Sequence, residues 1–188
     1  MKLEAIKLEN DRVLLAALSM ENFHHLIPIA AQPGLVRYSP SSISTEQDLT
    51  QYVEKALLQR VNRESIPFIV YDKSSSCYAG STRYMNIDWL NKVLHIGATW
   101  LGREFHSTGL NSHMKQLMID HAFYNMHFEK VEFRIDERNI PSRKAVEKLG
   151  AVLEGILREN VYLSDGFKRN TCCYGLLPKE WEALKSGK

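Results

Sequence analysis

Small and polar residues fill the turn within TWLGREFHSTGLN, residues 99–111. This stretch begins like a buried strand and ends like the start of a helix. Such a turn presents free backbone N–H groups beside the positive end of the helix dipole. The residues therefore favour an anion site, to which Arg103 could add a charge. An ordinary strand-to-helix turn that ends at Gly109, with Ser107 or Thr108 as the N-cap, explains the same residues.

Two familiar kinds of site do not fit the spacing of these residues. The turn lacks the Gly-Lys-Ser/Thr ending of a P-loop, and the chain contains no G-x-G-x-x-G fingerprint of a dinucleotide fold. The histidines His106, His113 and His121 form no H-x-x-x-H pair with a nearby carboxylate. We therefore expect no metal.

A histidine on the strand that leads into the turn, His95, could take up a proton. The ordinary pKa of histidine, about 6.5, suits a general base near neutral pH. A half-buried strand histidine that is only hydrogen-bonded explains the residue as well, so both roles stay open.

The elements around the turn follow from the apolar pattern after Pro67. Three strand-like runs, PFIVYD, CYAGSTRYMNI and KVLHIGATWL, indicate an antiparallel meander. A helix is predicted from about Gly109 to Met126, then the strand KVEFRID and a short helix from near Asn139 to Gly150. The arms AVLEGILRENVYL and FKRNTCCYGLL form a last hairpin about an Asp-Gly turn. This order predicts an α/β fold with a mixed sheet.

Before Pro67 the pattern predicts two helices, separated by the loop AAQPGLVRYSPSSIS. We expect Ser44 to cap the second helix. Its apolar face is predicted to comprise Leu49, Tyr52, Val53, Ala56, Leu57 and Val61.

Composition limits the class of protein. A chain of 188 residues with 44% hydrophobic and 24% charged residues suits one globular domain, residues 1–188. No apolar run of about 18 residues could span a membrane, and the N-terminus lacks the pattern of an export signal, so we expect no membrane association and a cytoplasmic location. A net charge of +2 argues against a nucleic-acid partner.

A second motif, DERNIPSRKAVEKLGA at residues 136–151, joins the first. The two together resemble the GCN5-related N-acetyltransferases (GNAT), in particular the branch of the ribosomal-protein N-terminal acetyltransferases. The family's Q/R-x-x-G-x-G/A loop corresponds to residues 104–109, where Ser107 replaces the first glycine. The family's N-x-x-S/A-x-x-x-Y-x-x-x-G-F signature corresponds to Asn139, Ser142, Val146, Gly150 and Ala151.

The resemblance implies a GNAT fold, a mostly antiparallel mixed sheet that splays between its fourth and fifth strands and is flanked by helices. Acetyl-CoA would lie in that cleft, and no metal would take part. Asn139 would face the pantetheine arm, and Thr99, Trp100 and Leu101 would form its strand edge. The phosphate loop would comprise Arg103, His106, Ser107, Thr108, Gly109, Leu110 and Asn111. We expect Ser107 to keep an ordinary negative φ, with its hydroxyl turned outward or toward the phosphate.

The resemblance also suggests how protons move. Many relatives place a tyrosine where this chain has Val146, and Ser142, one helical turn earlier, resembles the serine that replaces it and would also lie near the cofactor. A first-turn serine that bonds the backbone is the alternative. His95 lies where relatives often carry glutamate. Glu159 on the last hairpin is a second candidate base, with Glu154 as a competitor.

The function that follows is an acetyl-CoA-dependent N-acetyltransferase acting by direct attack of an amine. The acceptor would be a peptide N-terminus, as the branch suggests, or a small-molecule amine. A non-catalytic acyl-CoA-binding module is the alternative, because Ser107 and Val146 depart from the family pattern. The resemblance is also compatible with a homodimer.

Overall fold

A computed structural model describes residues 6–187. Residues 1–5 and 188 lie outside the described residues. The prediction of one domain over residues 1–188 and the prediction that the N-terminus is no export signal both include residues of this group. The strands are β1 (Leu8–Glu9), β2 (Val13–Ala17), β3 (Ser65–Asp72), β4 (Cys77–Asp88), β5 (Val93–Leu101), β6 (Lys130–Asp136), β7 (Val152–Tyr162) and β8 (Lys168–Leu176). The helices are α1 (Ile27–Ala30), α2 (Glu46–Val61), α3 (Leu110–Asp120), α4 (Ile140–Glu147) and α5 (Pro178–Lys185).

All eight strands form one sheet in the order β1-β2-β3-β4-β5-β6-β8-β7. Neighbouring strands are antiparallel except β5 and β6, which run parallel. The crossover between those two contains α3, as a parallel connection requires. The mixed, mostly antiparallel sheet with flanking helices confirms the predicted fold class.

The sheet opens between β5 and β6. Their pairing covers three positions, from Val93 opposite Lys130 to His95 opposite Glu132. Among the described residues, no pairing joins the later parts of the two strands, although β5 continues to Leu101 and β6 to Asp136. The two carboxyl-terminal ends therefore diverge as the resemblance implied, although the split lies between the fifth and sixth strands of this chain and not between the fourth and fifth.

Helices cover both faces of the sheet. One face packs against α3, α4 and α5 through Leu110, Met114, Met118, Val146 and Trp181. The other face packs against α1 and α2 through Ile29, Leu49 and Val53. Burying both faces explains why β3 reads as a nearly continuous apolar run.

Several boundaries differ from the predictions. The segment before α2 contains β1 and β2, with only a 3-10 turn at Phe23–Leu26 leading into the single turn of α1, where a full helix was expected. Thr45, not Ser44, caps α2, since its side chain accepts a hydrogen bond from the Asp48 N–H. Val61 is 78% exposed, so it is not part of the buried face of that helix.

Two further differences concern later helices. The helix expected to run to Met126 ends as α-helix at Asp120 and continues as a π-helical turn over His121–Asn125. The helix α5 follows the last hairpin and was not predicted; it buries Trp181. Within residues 6–187, none of the helices combines the length and the apolar character that crossing a bilayer requires.

Candidate active site

A β-bulge shapes the open part of β5. Ser81 pairs with Trp100 and Arg83 pairs with Gly97, so two residues of β5 lie opposite one residue of β4. The φ angle of Ala98 is 46°, in the left-handed region that such an insertion uses. The bulge shifts the alternation by one, so the side chain of Thr99 faces α3 whereas that of Trp100 packs with the α2 layer.

The three residues predicted to hold the pantetheine arm lie along this open edge. Trp100 and Leu101 are both buried, on opposite faces of the sheet. The indole N–H of Trp100 donates to the Tyr52 hydroxyl at 3.3 Å, and that hydroxyl donates to the Ala98 carbonyl at 3.3 Å. Since both apolar side chains are packed away, β5 presents mainly its backbone to the opening.

The predicted phosphate loop follows β5. A 3-10 turn at Arg103–Phe105 leads to Ser107, and α3 begins after Gly109. Ser107 has a φ of 62° and Gly109 a φ of 86°. The expectation that Ser107 keeps a negative φ is therefore wrong: the loop turns so sharply here that a serine adopts the conformation glycine prefers.

The loop with these two left-handed residues also contains backbone N–H groups that the protein does not use. Among residues 6–187 no hydrogen-bond acceptor is found for the backbone N–H groups of Ser107, Thr108, Gly109 and Asn111. Successive N–H groups of this kind form an anion-binding concavity, and the dipole of the 11-residue α3 adds to it. The loop therefore has the donors that a pyrophosphate needs.

The side chains of the loop mostly support its shape. The Thr108 hydroxyl donates to the Phe105 carbonyl at 2.8 Å, and the N-cap of α3 is Gly109 rather than Ser107 or Thr108. The His106 Nε2 lies 3.1 Å from the Leu101 carbonyl oxygen. Leu110 is buried in the core and Asn111 is partly exposed.

Arg103 is attached to the loop between α1 and α2. Its guanidinium donates to the Pro33 carbonyl, and its backbone N–H donates to the Gln32 side-chain oxygen at 2.8 Å. The Gln32 amide also donates to Glu104 at 3.1 Å. In this structure the Arg103 charge thus fixes the loop rather than standing free.

The same α1–α2 loop also reaches the other side of the opening. The Tyr38 carbonyl accepts a hydrogen bond of 2.7 Å from Arg169 of β8, a residue that is 8% exposed. The loop therefore contacts both the end of β5, through Pro33, and the last hairpin. Side chains from this loop are well placed to contact whatever enters the opening.

The second motif forms the start of α4. The Asn139 side-chain oxygen accepts from the Ser142 N–H at 3.3 Å and so caps the helix. The Ser142 hydroxyl finds no partner among the described residues, whereas Val146 is buried in the core beside α3. A hydroxyl on α4 is thus available where the family's phenol is missing.

His95 lies at the closed end of the split. Its Nε2 is 3.1 Å from a Glu132 carboxylate oxygen, and its Nδ1 is 3.1 Å from the Asn86 amide nitrogen. Because an amide nitrogen donates, Nδ1 accepts and Nε2–H donates to Glu132. Burial lowers the pKa of His95 more than the Glu132 charge raises it. The neutral ring therefore has both nitrogens engaged.

Glu159 lies at the open end. It is exposed, has a φ of 46°, and donates its backbone N–H to Asn170 at 2.8 Å. The Asn170 carbonyl accepts from the N–H of Glu137, the residue that follows β6. Glu159 and Asn170 border a surface groove of about 680 Å³ along β7. The competitor Glu154 forms an ion pair with Lys130 at 2.8 Å, near the closed end.

Two buried cations lie near the split; Arg83 is a candidate for an acceptor pocket from the sequence, whereas the sequence does not single out Lys115. Lys115 of α3 and Arg83 of β4 are 6% and 5% exposed. The Arg83 guanidinium stacks on the Tyr52 ring at 4.4 Å, and its Nε and Nη2 find no hydrogen-bond partner among residues 6–187. Only the position of Lys115 beside the apolar stripe of α3 could have drawn attention to it.

No group of three or more histidine, cysteine, aspartate or glutamate side chains within residues 6–187 could hold a metal ion.

Comparisons with known proteins agree with this geometry. Residues 12–152 match the family described as the acetyltransferase (GNAT) domain. The protein named "Putative ribosomal N-acetyltransferase YdaF" of Bacillus subtilis is 29% identical over 117 residues, which cover 62% of this chain and 61% of that relative. The match thus spans less than two thirds of that relative's length.

Solved structures share the fold. A GCN5-related N-acetyltransferase from Brucella melitensis superimposes with a TM-score of 0.87 at 26% identity, covering 99% of this chain and 85% of the other. The Microcin C7 self immunity acetyltransferase MccE, solved in complex with acetyl-CoA and AMP, has a TM-score of 0.79 at 19% identity, covering 89% and 93% of the two chains.

The fold and the split sheet are those of the acetyltransferase (GNAT) domain. The chain belongs to the acetyltransferase (GNAT) domain family, and the YdaF match supports its resemblance to the ribosomal-protein branch.

Proposed function

We propose that this protein transfers an acetyl group from acetyl-CoA to a primary amine. The observation that carries the proposal is the split between β5 and β6 beside a loop in which four backbone N–H groups find no acceptor among the described residues. An extended arm with a pyrophosphate at one end fits a free strand edge that ends at an anion-binding loop.

In this arrangement the loop residues from Ser107 to Asn111 bind the pyrophosphate through backbone N–H groups. His106 stabilises the loop through its contact with the Leu101 carbonyl. The edge formed by Thr99, Trp100 and Leu101 orients the pantetheine arm through its backbone. Arg103 keeps the loop in place through Pro33. Asn139 holds Ser142 at the start of α4 and directs its remaining amide donor outward. Acetyl-CoA, when bound, supplies the activated acyl group.

Three residues are proposed for the chemistry. Glu159, exposed at the open end, removes a proton from the acceptor ammonium so that the nitrogen can attack the thioester carbonyl. Ser142 donates a hydrogen bond to the departing sulfur. His95, at the closed end with both nitrogens engaged, acts less directly than Glu159, by holding the two strands together where they diverge.

The acceptor is proposed to be a peptide N-terminus, in line with the name of the Bacillus subtilis relative. Arg37 and Tyr38 in the α1–α2 loop, together with the last hairpin, would contact it. A small-molecule amine would meet the same groups.

We further propose that the protein stays within the cytoplasm, without a nucleic-acid or membrane partner. A homodimer also stays a prediction, and sedimentation velocity would test it.

A non-catalytic acyl-CoA-binding module is the second candidate, because Val146 replaces the phenol of many relatives and is buried. A thiol-release assay with acetyl-CoA and a panel of amines and peptides distinguishes the two. Turnover supports the enzyme, whereas binding without release across the panel supports the module.

The same assay tests the second motif. We expect Ser142→Ala and Asn139→Ala to lower turnover by about tenfold or more, equivalent to about 1.4 kcal/mol. Ser112→Ala, which changes a serine on the exposed side of α3, serves as the control. If neither motif variant differs from that control, the assignment of the second signature is wrong.

A further inference from the structure

Lys115 lies beneath the split between β5 and β6. Its Nζ donates to the Thr99 hydroxyl of β5 at 2.8 Å and lies 5.9 Å from the centre of the Phe133 ring of β6. Both residues come after the last paired position, His95 opposite Glu132. One amine therefore reaches both strands just past the point where they separate.

The polar side chains of β4 that contact α3 are uncharged. From β4 come Thr82, whose hydroxyl is 2.8 Å from that of Thr99, and Tyr84, whose hydroxyl donates to the Met118 carbonyl at 2.7 Å. Burial raises the pKa of Tyr84, so the phenol stays neutral. None of the ion pairs formed within residues 6–187 includes Lys115.

A buried amine without a counter-ion is costly, and proteins seldom keep one unless it has a use. Burial lowers the pKa of Lys115 to about 7, so near neutral pH the amine can both give and regain a proton. Val146 belongs to the same core and brings no phenol to this face of the sheet. Lys115 is a titratable group that lies directly at the split on that face.

We propose that Lys115 is a catalytic residue that stabilises and protonates the sulfur leaving from the thioester. The inference rests on the proposed function. As the acceptor nitrogen forms its bond to the carbonyl carbon, the carbon–sulfur bond breaks and its electron pair goes to sulfur. A proton passes from the Lys115 ammonium to sulfur to give the thiol, and the neutral amine regains a proton from solvent. Glu159, which has by then released the proton of the acceptor ammonium to solvent, takes the second proton from the nitrogen of the new amide.

The hydrogen bond to Thr99 gives this residue its geometry. Thr99 faces α3 only because the bulge at Ala98 shifts the strand by one residue. The Thr82 hydroxyl holds Thr99 in turn, so the amine is directed at the edge of β5 rather than into the core.

The test compares CoA, which carries the thiol, with desulfo-CoA, which lacks the sulfur. Binding is measured by calorimetry across pH for the wild type, Lys115→Met, Lys115→Arg and the control Lys144→Met, which alters an exposed lysine of α4. Thermal unfolding verifies that each variant is folded. Ultraviolet absorbance of the thiolate follows the pKa of the bound thiol.

We expect the wild type and Lys144→Met to prefer CoA and to lower the pKa of the bound thiol below its value in free CoA. In Lys115→Met the ratio of the affinities for CoA and desulfo-CoA should fall about tenfold, while desulfo-CoA still binds. In Lys115→Arg this ratio should fall less. The same preference and thiol pKa in Lys115→Met and the wild type would overturn the role of Lys115 alone. If the wild type binds neither compound, the proposed function fails and this inference fails with it.

Discussion

The His95 Nε2 lies 3.1 Å from the Glu132 carboxylate at the last paired position of β5 and β6. Beyond this contact the two strands separate. The ion pairs of Glu132 with Lys130 at 2.9 Å and Arg134 at 2.8 Å surround it with further charges on β6. The histidine therefore belongs to the network that closes one end of the cleft.

This placement predicts different outcomes for the two candidate bases. Glu159→Gln should lower turnover by about a hundredfold, within the usual range for losing a general base. His95→Gln keeps a donor near Glu132 and should lower turnover less than about threefold. Steady-state kinetics measure both. A larger loss in His95→Gln than in Glu159→Gln would reverse the assignment.

Ser107→Gly tests the strained loop. Removing the backbone strain of a serine at positive φ stabilises the folded state by roughly 1–2 kcal/mol. The greater freedom of glycine in the unfolded chain lowers the free energy of unfolding by roughly 0.5–1 kcal/mol. We expect a net stabilisation of about 0.5 kcal/mol in chemical unfolding, with CoA bound at least as tightly as in the wild type. Gly109→Ala, at a φ of 86°, should do the opposite. Weaker CoA binding by Ser107→Gly would show instead that the hydroxyl is a ligand.

Tyr52→Phe tests the support of the bulge. The substitution removes the acceptor of the buried Trp100 N–H and the donor to the Ala98 carbonyl. We expect the free energy of unfolding to fall by about 1–2 kcal/mol, as for other hydrogen bonds lost in the interior. Tyr162→Phe, at a residue that is 65% exposed, is the matched control and should be neutral. Equal stability of the two variants would contradict a structural role for the Tyr52 hydroxyl.

Lys115 predicts a specific dependence of stability on pH. Its pKa is about 7 in the folded protein, against an ordinary value of 10.5. At pH below 7 the amine is charged in both states and the burial penalty is complete. Above 10.5 it is neutral in both and the penalty is gone, so stability should rise with pH between these values.

Lys115→Met should therefore be more stable than the wild type at pH 7, by a margin on the order of a few kcal/mol. The difference should shrink as the pH approaches 10. Urea unfolding at several pH values measures it, with Lys144→Met as the control. A difference that stays constant with pH would show that Lys115 keeps its ordinary pKa in the folded protein.

Much of the fold was accessible from the sequence because alternation and turn residues are local signals. The meander after Pro67 and the last hairpin were confirmed in order and direction. The strand Val13–Ala17 was missed because VLLAAL is a continuous apolar run, which periodicity cannot distinguish from a buried helix. Thr45 and Ser44 are both good caps, and only the structure decides between them.

The site was accessible in part. The composition of the loop indicated an anion site, but the φ of Ser107 depends on how the chain leaves β5 and enters α3. The contact of Lys115 with Thr99 depends on the bulge at Ala98, and an alanine at that position does not predict a bulge. Long-range contacts of this kind are set by tertiary packing, and local patterns do not encode them.

The bulge has a consequence for how this domain can vary. Residues before Ala98 and residues after it follow opposite phases along the same strand, because Ala98 is one residue more than regular pairing with β4 requires. Deleting Ala98 would leave Thr99 opposite Thr82 and on its present face, whereas one more residue after Ala98, added without enlarging the bulge, would exchange the faces of Thr99 and Trp100. In a library of insertions and deletions, this short segment should tolerate the loss of one residue better than the gain of one.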